Sequence, residues 1–376
     1  MIGYYAHHHG AGHLQRAVAV SGHVGSALTV LSSAQPSVGI PHLPLARDDD
    51  APVIGDVTAS GALHWVPLRH KGFRERSSQI VGWAAQERCN LLVSDVSVEV
   101  LLLARLLSIP SVAVALRGPR QDRPHAIGYD VASRIIAPWP RATQGEGLQQ
   151  WRDKTIWVGA VSRFDGRVRE TGRCGRPGRC TVVLLGRGGD SMTALDLREA
   201  AAVPGTHWHL LGGSAATVAA DRQPSSSPTA AGSEPRERVR TVEVLGWVAD
   251  PWPVLCRADV VVAAAGDAAI ADVAAAGRPL IAVPQDRPFG EQHDHAAVLA
   301  RHRLCLSEPT WPDRQRWPLL LDRAQALGGR RWAEYCDGQG SARMARVLQE
   351  IADDGPGDPE DGPAVAGSAP MLSKAG

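Results

Sequence analysis

Lysine is nearly missing from this chain: of 376 residues only Lys71, Lys154 and Lys374 carry it, and the other basic residues are arginines. That skew, with abundant alanine and glycine, points to a GC-rich genome and carries no mechanism. Net charge is equally scarce. At a formal +1 no global field selects nucleic acid, so no nucleic-acid partner is expected. The six cysteines, Cys89, Cys174, Cys180, Cys256, Cys305 and Cys336, include no Cys-x-x-Cys pair and show no metal-ligand spacing. They read as reduced thiols in a cytosolic setting, with no metal site. Long apolar runs are also missing: the most hydrophobic segment, 98–116, contains Glu99, Arg105 and Pro110 and is too interrupted to span a bilayer. The N-terminus opens on MIGYYAHHH without the charged region, apolar core and cleavage site of a signal peptide, so a cytoplasmic location is expected.

What is present is an ordinary globular composition, 44% hydrophobic and 21% charged, in a length that favours two domains. The most informative stretch is 247–292. A strand ends in Gly246-Trp247, a short helix follows, and the β-branched run 258–264 predicts a buried parallel strand. A turn at Gly266 leads into a helix to Ala276, which Gly277 and Pro279 close before a strand over 279–284. Such a strand, turn and helix aim backbone amides at an anion beyond the strand end; a diphosphate suits the place. Asp272, six residues after Gly266, is spaced to accept hydrogen bonds from a sugar diol. The loop pair Glu291 and Gln292 suits the hydroxyls of a hexose, and Trp247 offers a flat face to a nucleobase.

This pattern of Trp, Gly, acidic residue, Gly, Pro and terminal Glu-Gln resembles the nucleotide-sugar box of two-domain GT-B glycosyltransferases, the MurG-like and UDP-glycosyltransferase groups. The resemblance implies two doubly wound, Rossmann-like α/β domains facing across a cleft. It also implies a donor site made by Trp247, Val248, Gly266, Asp267, Asp272, Glu291 and Gln292, with no bound cofactor and a UDP-linked sugar as the expected substrate. Departures from the pattern are Ala264, Ala268 and Ala269 at usually polar positions, and Asp272 where relatives carry Glu.

Taken in order, the chain opens with a strand over 2–8 and the turn His9-Gly10-Ala11-Gly12-His13. Gly10 and Gly12 let backbone approach a ligand, and the loop is similar to the glycine-rich loop of MurG-like proteins. That makes His13 the candidate general base, its alternative role being to cap or pack the helix start. Asp95, at the end of the strand 90–95, is the candidate partner that orients His13; its alternative is to cap the next helix. The basic patch 69–76 is read as a solvated face, with an anionic acceptor or a peripheral membrane contact left open. His125 sits in a polar loop on the acceptor side. The N-terminal acceptor domain is placed at 1–161, a linker at 162–178, and the nucleotide-sugar domain at 179–352. Within the last, Arg187 and Gly188 belong to a second glycine loop, which the resemblance implies would meet the donor diphosphate; 214–240 is expected to be a disordered insertion and 353–376 a disordered tail.

The reading is a metal-independent transferase moving a hexose-type sugar from a nucleoside-diphosphate donor to an acceptor hydroxyl. The acceptor stays open between lipid, cell-wall precursor and natural product. The alanines of the donor box motivate the rival, a non-catalytic nucleotide-sugar-binding or partner-binding protein on the same scaffold; a nucleotide-sugar 2-epimerase is the third reading.

Overall fold

The computed structural model describes residues 1–172, 174–186, 191–213 and 242–354. Its first half alternates strands and helices: β1 (Ile2–Ala6), α1 (Gly12–Val24), β2 (Leu28–Ser32), β3 (His42–Pro44), α2 (Lys71–Gln86), β4 (Leu91–Asp95), α3 (Val98–Leu106), β5 (Ser111–Val114), α4 (Arg123–Val131), β6 (Arg134–Ala137) and β7 (Thr155–Trp157). All seven strands are parallel, in the order β3-β2-β1-β4-β5-β6-β7. β1, β2, β4 and β5 are buried along their whole length, because helices cover both faces of the sheet and leave no solvent side. The second half repeats the plan with β8 (Arg179–Leu184), α5 (Ala194–Ala201), β9 (Thr206–Leu211), β10 (Glu243–Gly246), α6 (Trp252–Arg257), β11 (Val260–Ala263), α7 (Asp267–Ala276), β12 (Leu280–Ala282), α8 (Glu291–Arg301), β13 (Leu306–Ser307), α9 (Trp317–Leu327) and α10 (Gly340–Asp353). Its six strands are parallel in the order β10-β9-β8-β11-β12-β13.

Both sheets reverse direction of growth at one point, between β1 and β4 and between β8 and β11. Ligands of doubly wound sheets bind beyond the strand ends at such a switch. The donor-box elements fall within a few residues of their expected bounds, and Gly277 closes α7 in the left-handed region at φ +65°.

Three expectations change. The first strand stops at Ala6, and His7, His8 and His9 form the turn instead, where Asp49 accepts from His8 at 3.1 Å and His9 at 2.8 Å. The basic patch is no solvated face throughout: Arg76 is buried on α2, ion-paired with Asp48, and its guanidinium lies over the Tyr5 ring. The last helix, inside the span 179–352 given to the second domain, crosses back. On α10, Met344, Ala345 and Leu348 join Tyr4, Ala17 and Val20 in the core of the first domain. Arg187, Gly188, the insertion 214–240 and the tail from 355 onward lie outside the described residues.

Candidate active site

Asp95 ends β4 opposite Ala6, the last residue of β1, so strand register alone brings its carboxylate beside the turn that follows β1. His13 enters α1 from that turn, and its Nδ1 is 2.9 Å from Asp95 Oδ1. Arg16, one turn further on the same helix face, donates to both oxygens of Asp95 at 2.9 and 3.0 Å, and the Tyr4 hydroxyl donates to Oδ2 at 2.9 Å. Asp95 is fully buried, which by itself favours the neutral acid; the charges of Arg16 and His13 outweigh that and bring its pKa down to about 2. An ionised Asp95 accepts the Nδ1 proton and leaves Nε2 of His13 as the basic nitrogen. The next residue, Val96, is β-branched yet sits at φ +102°, a conformation such side chains rarely adopt.

The second domain faces this dyad with the N-terminus of α7. Gly266 is the N-cap residue and no side chain caps the helix, so its first amides are open. A Cβ placed on Gly12 would come within 3.2 Å of Ala268 Cβ. Ala268, one of the alanines at usually polar positions, therefore lies where the two glycine turns meet. Asp267, the first residue of α7, lies 3.6 Å from Arg16 and 3.3 Å from Nδ1 of His295. His295 is wholly buried: Ala265 O lies 2.8 Å from its Nδ1, and the Tyr335 hydroxyl is 3.0 Å from Nε2. Burial, with the nearby Arg117 charge, lowers its pKa to about 4, so at neutral pH it is an uncharged imidazole that braces the carbonyl before Gly266. Arg117 in turn donates to Tyr335 and stacks 4.1 Å from the Trp139 ring.

Across the cleft Arg120 holds Glu291 at 2.7 Å. Burial raises the pKa of Glu291 and Arg120 opposes that. Gln292, buried, accepts from the Gln285 amide at 2.9 Å and approaches Gly266. Gly118 packs on the second domain so closely that a Cβ there would be 2.8 Å from the Phe289 carbonyl, and its φ is +86°. His125 is buried against the edge of Phe289 at 4.9 Å and shares Asp122 with His64, at 2.6 and 2.9 Å. Beside the dyad, within the first domain, a cavity of about 360 Å³ is lined chiefly by apolar side chains, among them Leu63, Trp65, Phe73, Val96, Val100 and Leu103.

The structure thus brings His13, Asp95, Gly12, Gly266, Asp267, Glu291 and Gln292 to one interdomain cleft. Trp247 is half exposed at the end of β10, against Gly212, and Val248 is partly buried behind it. Asp272 is a correction: it does not present its carboxylate to the cleft. Only 3% exposed, it accepts from Ser162 Oγ at 2.8 Å and from Arg163 Nε at 2.9 Å, so the segment joining the domains occupies it. Burial raises its pKa to about 6 against the pull of Arg163. His125, with a pKa lowered to about 4 by burial and by His64, is held in a structural triad with Asp122. Sequence reasoning missed Arg16, Tyr4, Arg120, His295 and Tyr335. Only Arg16 had a signal, its spacing of three from His13.

Two parallel-sheet domains that turn their strand ends toward each other across a cleft, one bearing a histidine–aspartate pair and the other an open helix N-terminus, are the GT-B architecture of glycosyltransferases. Residues 224–307 match the family description of the glycosyltransferase family 28 C-terminal domain. No curated protein sequence matches the chain. Similar solved structures include the calicheamicin glycosyltransferase CalG4, 16% identical, with a TM-score of 0.63 over 94% of this chain and 98% of that one. MurG of Acinetobacter baumannii is 14% identical, with a TM-score of 0.60 over 93% and 99%. Arabidopsis thaliana UGT89C1, complexed with UDP-L-rhamnose, is 11% identical, with a TM-score of 0.62 over 93% and 98%. At such identities the likeness is one of fold. The fold is therefore that of the GT-B class, and within it residues 224–307 resemble the glycosyltransferase family 28 C-terminal domain.

Proposed function

We propose that the protein transfers a hexose-type sugar from a nucleoside-diphosphate donor, UDP-linked, to a hydroxyl of an apolar acceptor. The observation that carries this reading is the His13–Asp95 pair, 2.9 Å apart at the cleft and opposite the open N-terminus of α7. In this mechanism His13 Nε2 takes the proton of the acceptor hydroxyl. The oxygen attacks the anomeric carbon, the bond from that carbon to the diphosphate oxygen breaks, and the nucleoside diphosphate leaves with the electron pair. The amides of α7 receive its negative charge, while Arg16 and His295 hold Asp267 away from it. Glu291 and Gln292 take the sugar hydroxyls, and Trp247 and Val248 the base. Asp272, held by Ser162 and Arg163, takes no part in donor binding. The choice of UDP follows the UDP-L-rhamnose complex among the similar structures. No metal is assigned to the step.

The apolar cavity beside the dyad favours a small aromatic or alicyclic acceptor: about 360 Å³ suits a natural product of modest size. A calorimetric titration with UDP, GDP, TDP and their sugars, followed by release of nucleoside diphosphate from whichever sugar binds, tests the reading. Saturable binding with slow release that falls about 10²–10⁴-fold in His13→Ala is expected. Binding without turnover, unaltered by any acceptor, would favour the non-catalytic alternative.

A further inference from the structure

At the opposite end of the second sheet from the cleft, where its strands begin, three separate segments converge on one point. Cys180 is the second residue of β8 and His207 the second of β9, and the two are register partners; His209 lies two residues on, on the same face. Cys174 comes from the segment that joins the domains. Its Sγ lies 3.2 Å from Nε2 of His207 and 3.3 Å from Nε2 of His209. Cys180 completes the group: one sulfur or ring nitrogen from each of the four residues lies within 4.8 Å of the others.

Without a metal, the Cys174 thiol can donate to one imidazole and accept from the other; what that pairing does not call for is a second thiol gathered with the same two rings. Two sulfurs and two imidazole nitrogens this close suit a tetrahedral metal: with metal bonds of about 2.3 Å to sulfur and 2.0 Å to nitrogen, sulfur–nitrogen edges should be about 3.5 Å, against 3.2 and 3.3 Å here. The surroundings fit as well. Glu243 Oε2, itself held by Arg176 at 2.9 Å, lies 3.3 Å from Nδ1 of His209, near enough to turn onto it as a carboxylate partner of a ligating ring. A cavity of about 600 Å³ lined by Cys174, Cys180 and Asp259 opens beside the cluster and gives an ion a way in.

We propose that Cys174, Cys180, His207 and His209 form a structural zinc site that fastens the interdomain segment to the second sheet. On binding, the two thiols lose their protons to solvent and the two thiolates balance the charge of Zn²⁺; nothing is oxidised or reduced. Four protein ligands leave no position for substrate, so the site is structural, and it stands whether or not the transferase reading does. The inference corrects the expectation from cysteine spacing, which cannot see a ligand set drawn from three segments.

The test uses the full chain, purified without chelator under a non-thiol reductant and assayed for metal by mass spectrometry. It is then stripped and titrated anaerobically with Co²⁺ and Zn²⁺. One zinc per chain, two protons released per ion, and the absorption of tetrahedral, thiolate-bound cobalt are expected. Cys174→Ser, at a partly exposed position on the connecting segment, should weaken binding by more than the roughly 10–100-fold typical of losing an outer-shell partner. Cys89→Ser, remote from the cluster, should leave binding unchanged. Absence of stoichiometric metal and of the cobalt spectrum in folded, reduced protein would overturn the proposal. So would undiminished binding in both Cys174→Ser and His207→Ala, or a Cys174–Cys180 disulfide as the resident state.

Discussion

Replacing Asp95 by Asn tests the centre of the proposed chemistry, because the substitution keeps shape and removes charge. Asp95 accepts from His13, Arg16 and Tyr4 at 2.9–3.0 Å. An amide in its place can donate to Nδ1, so the Nε2 of His13 would carry the proton and could no longer accept one. A base dyad left in the wrong tautomer loses about 10⁴ in kcat, or about 5.5 kcal/mol of barrier. Stability changes with it. The lowering of the Asp95 pKa from 3.8 to about 2 corresponds to about 2.4 kcal/mol at neutral pH. Because the folded value is the lower one, that contribution is present above about pH 4 and is lost as pH falls through 2. Asp95→Asn should therefore unfold at lower denaturant at pH 7, with the gap to the parent closing in acid. Release of nucleoside diphosphate, measured on protein still folded by circular dichroism, should fall about 10⁴-fold with donor affinity nearly unchanged. Activity within tenfold of the parent would refute the dyad.

Asp272→Asn should behave in the opposite sense. The raised pKa of Asp272, from 3.8 to about 6, means its ionisation opposes folding, with stability full below about pH 4 and lost as pH rises through 6. The variant should be more stable at pH 8, by up to about 3 kcal/mol, and equal to the parent near pH 4; a denaturation series across pH reads this directly. Gly118→Ala forces a Cβ against the Phe289 carbonyl at positive φ, so the domains should part and donor affinity should drop at least about fivefold, equivalent to roughly 1 kcal/mol; small-angle scattering would show the opening. Leu103→Trp, filling the apolar cavity, should abolish glycosylation of an acceptor while leaving donor hydrolysis within twofold; equal losses of both would place the acceptor elsewhere.

The fold was legible wherever local pattern and long-range packing agree. The run 258–264 is β-branched because it lies in mid-sheet, and Gly277 marks the helix end because the chain reverses there. The segments His9–His13 and Gly266–Asp267, singled out by likeness to known proteins, follow β1 and β11 at the strand ends that border the cleft. What stayed hidden comes from side chains that meet only through topology. Nothing near Asp272 in sequence announces Ser162 and Arg163, more than a hundred residues away. Tyr335 supports the donor turn through His295 from a segment without motif, and α10 is amphipathic without stating which domain its apolar face covers.

That last helix sets the mechanics of the cleft. The chain passes between the domains twice, once through the segment after β7 and again on the way to α10, and Arg343 at the second passage donates to Val158 O at the first. Any opening must therefore flex two side-by-side straps together, which permits rocking about their common line and resists twisting across it. The first domain is therefore not a continuous piece of sequence: cutting before α10 would bare the apolar faces of Ala17 and Val20 on α1 and sever one strap of the pair.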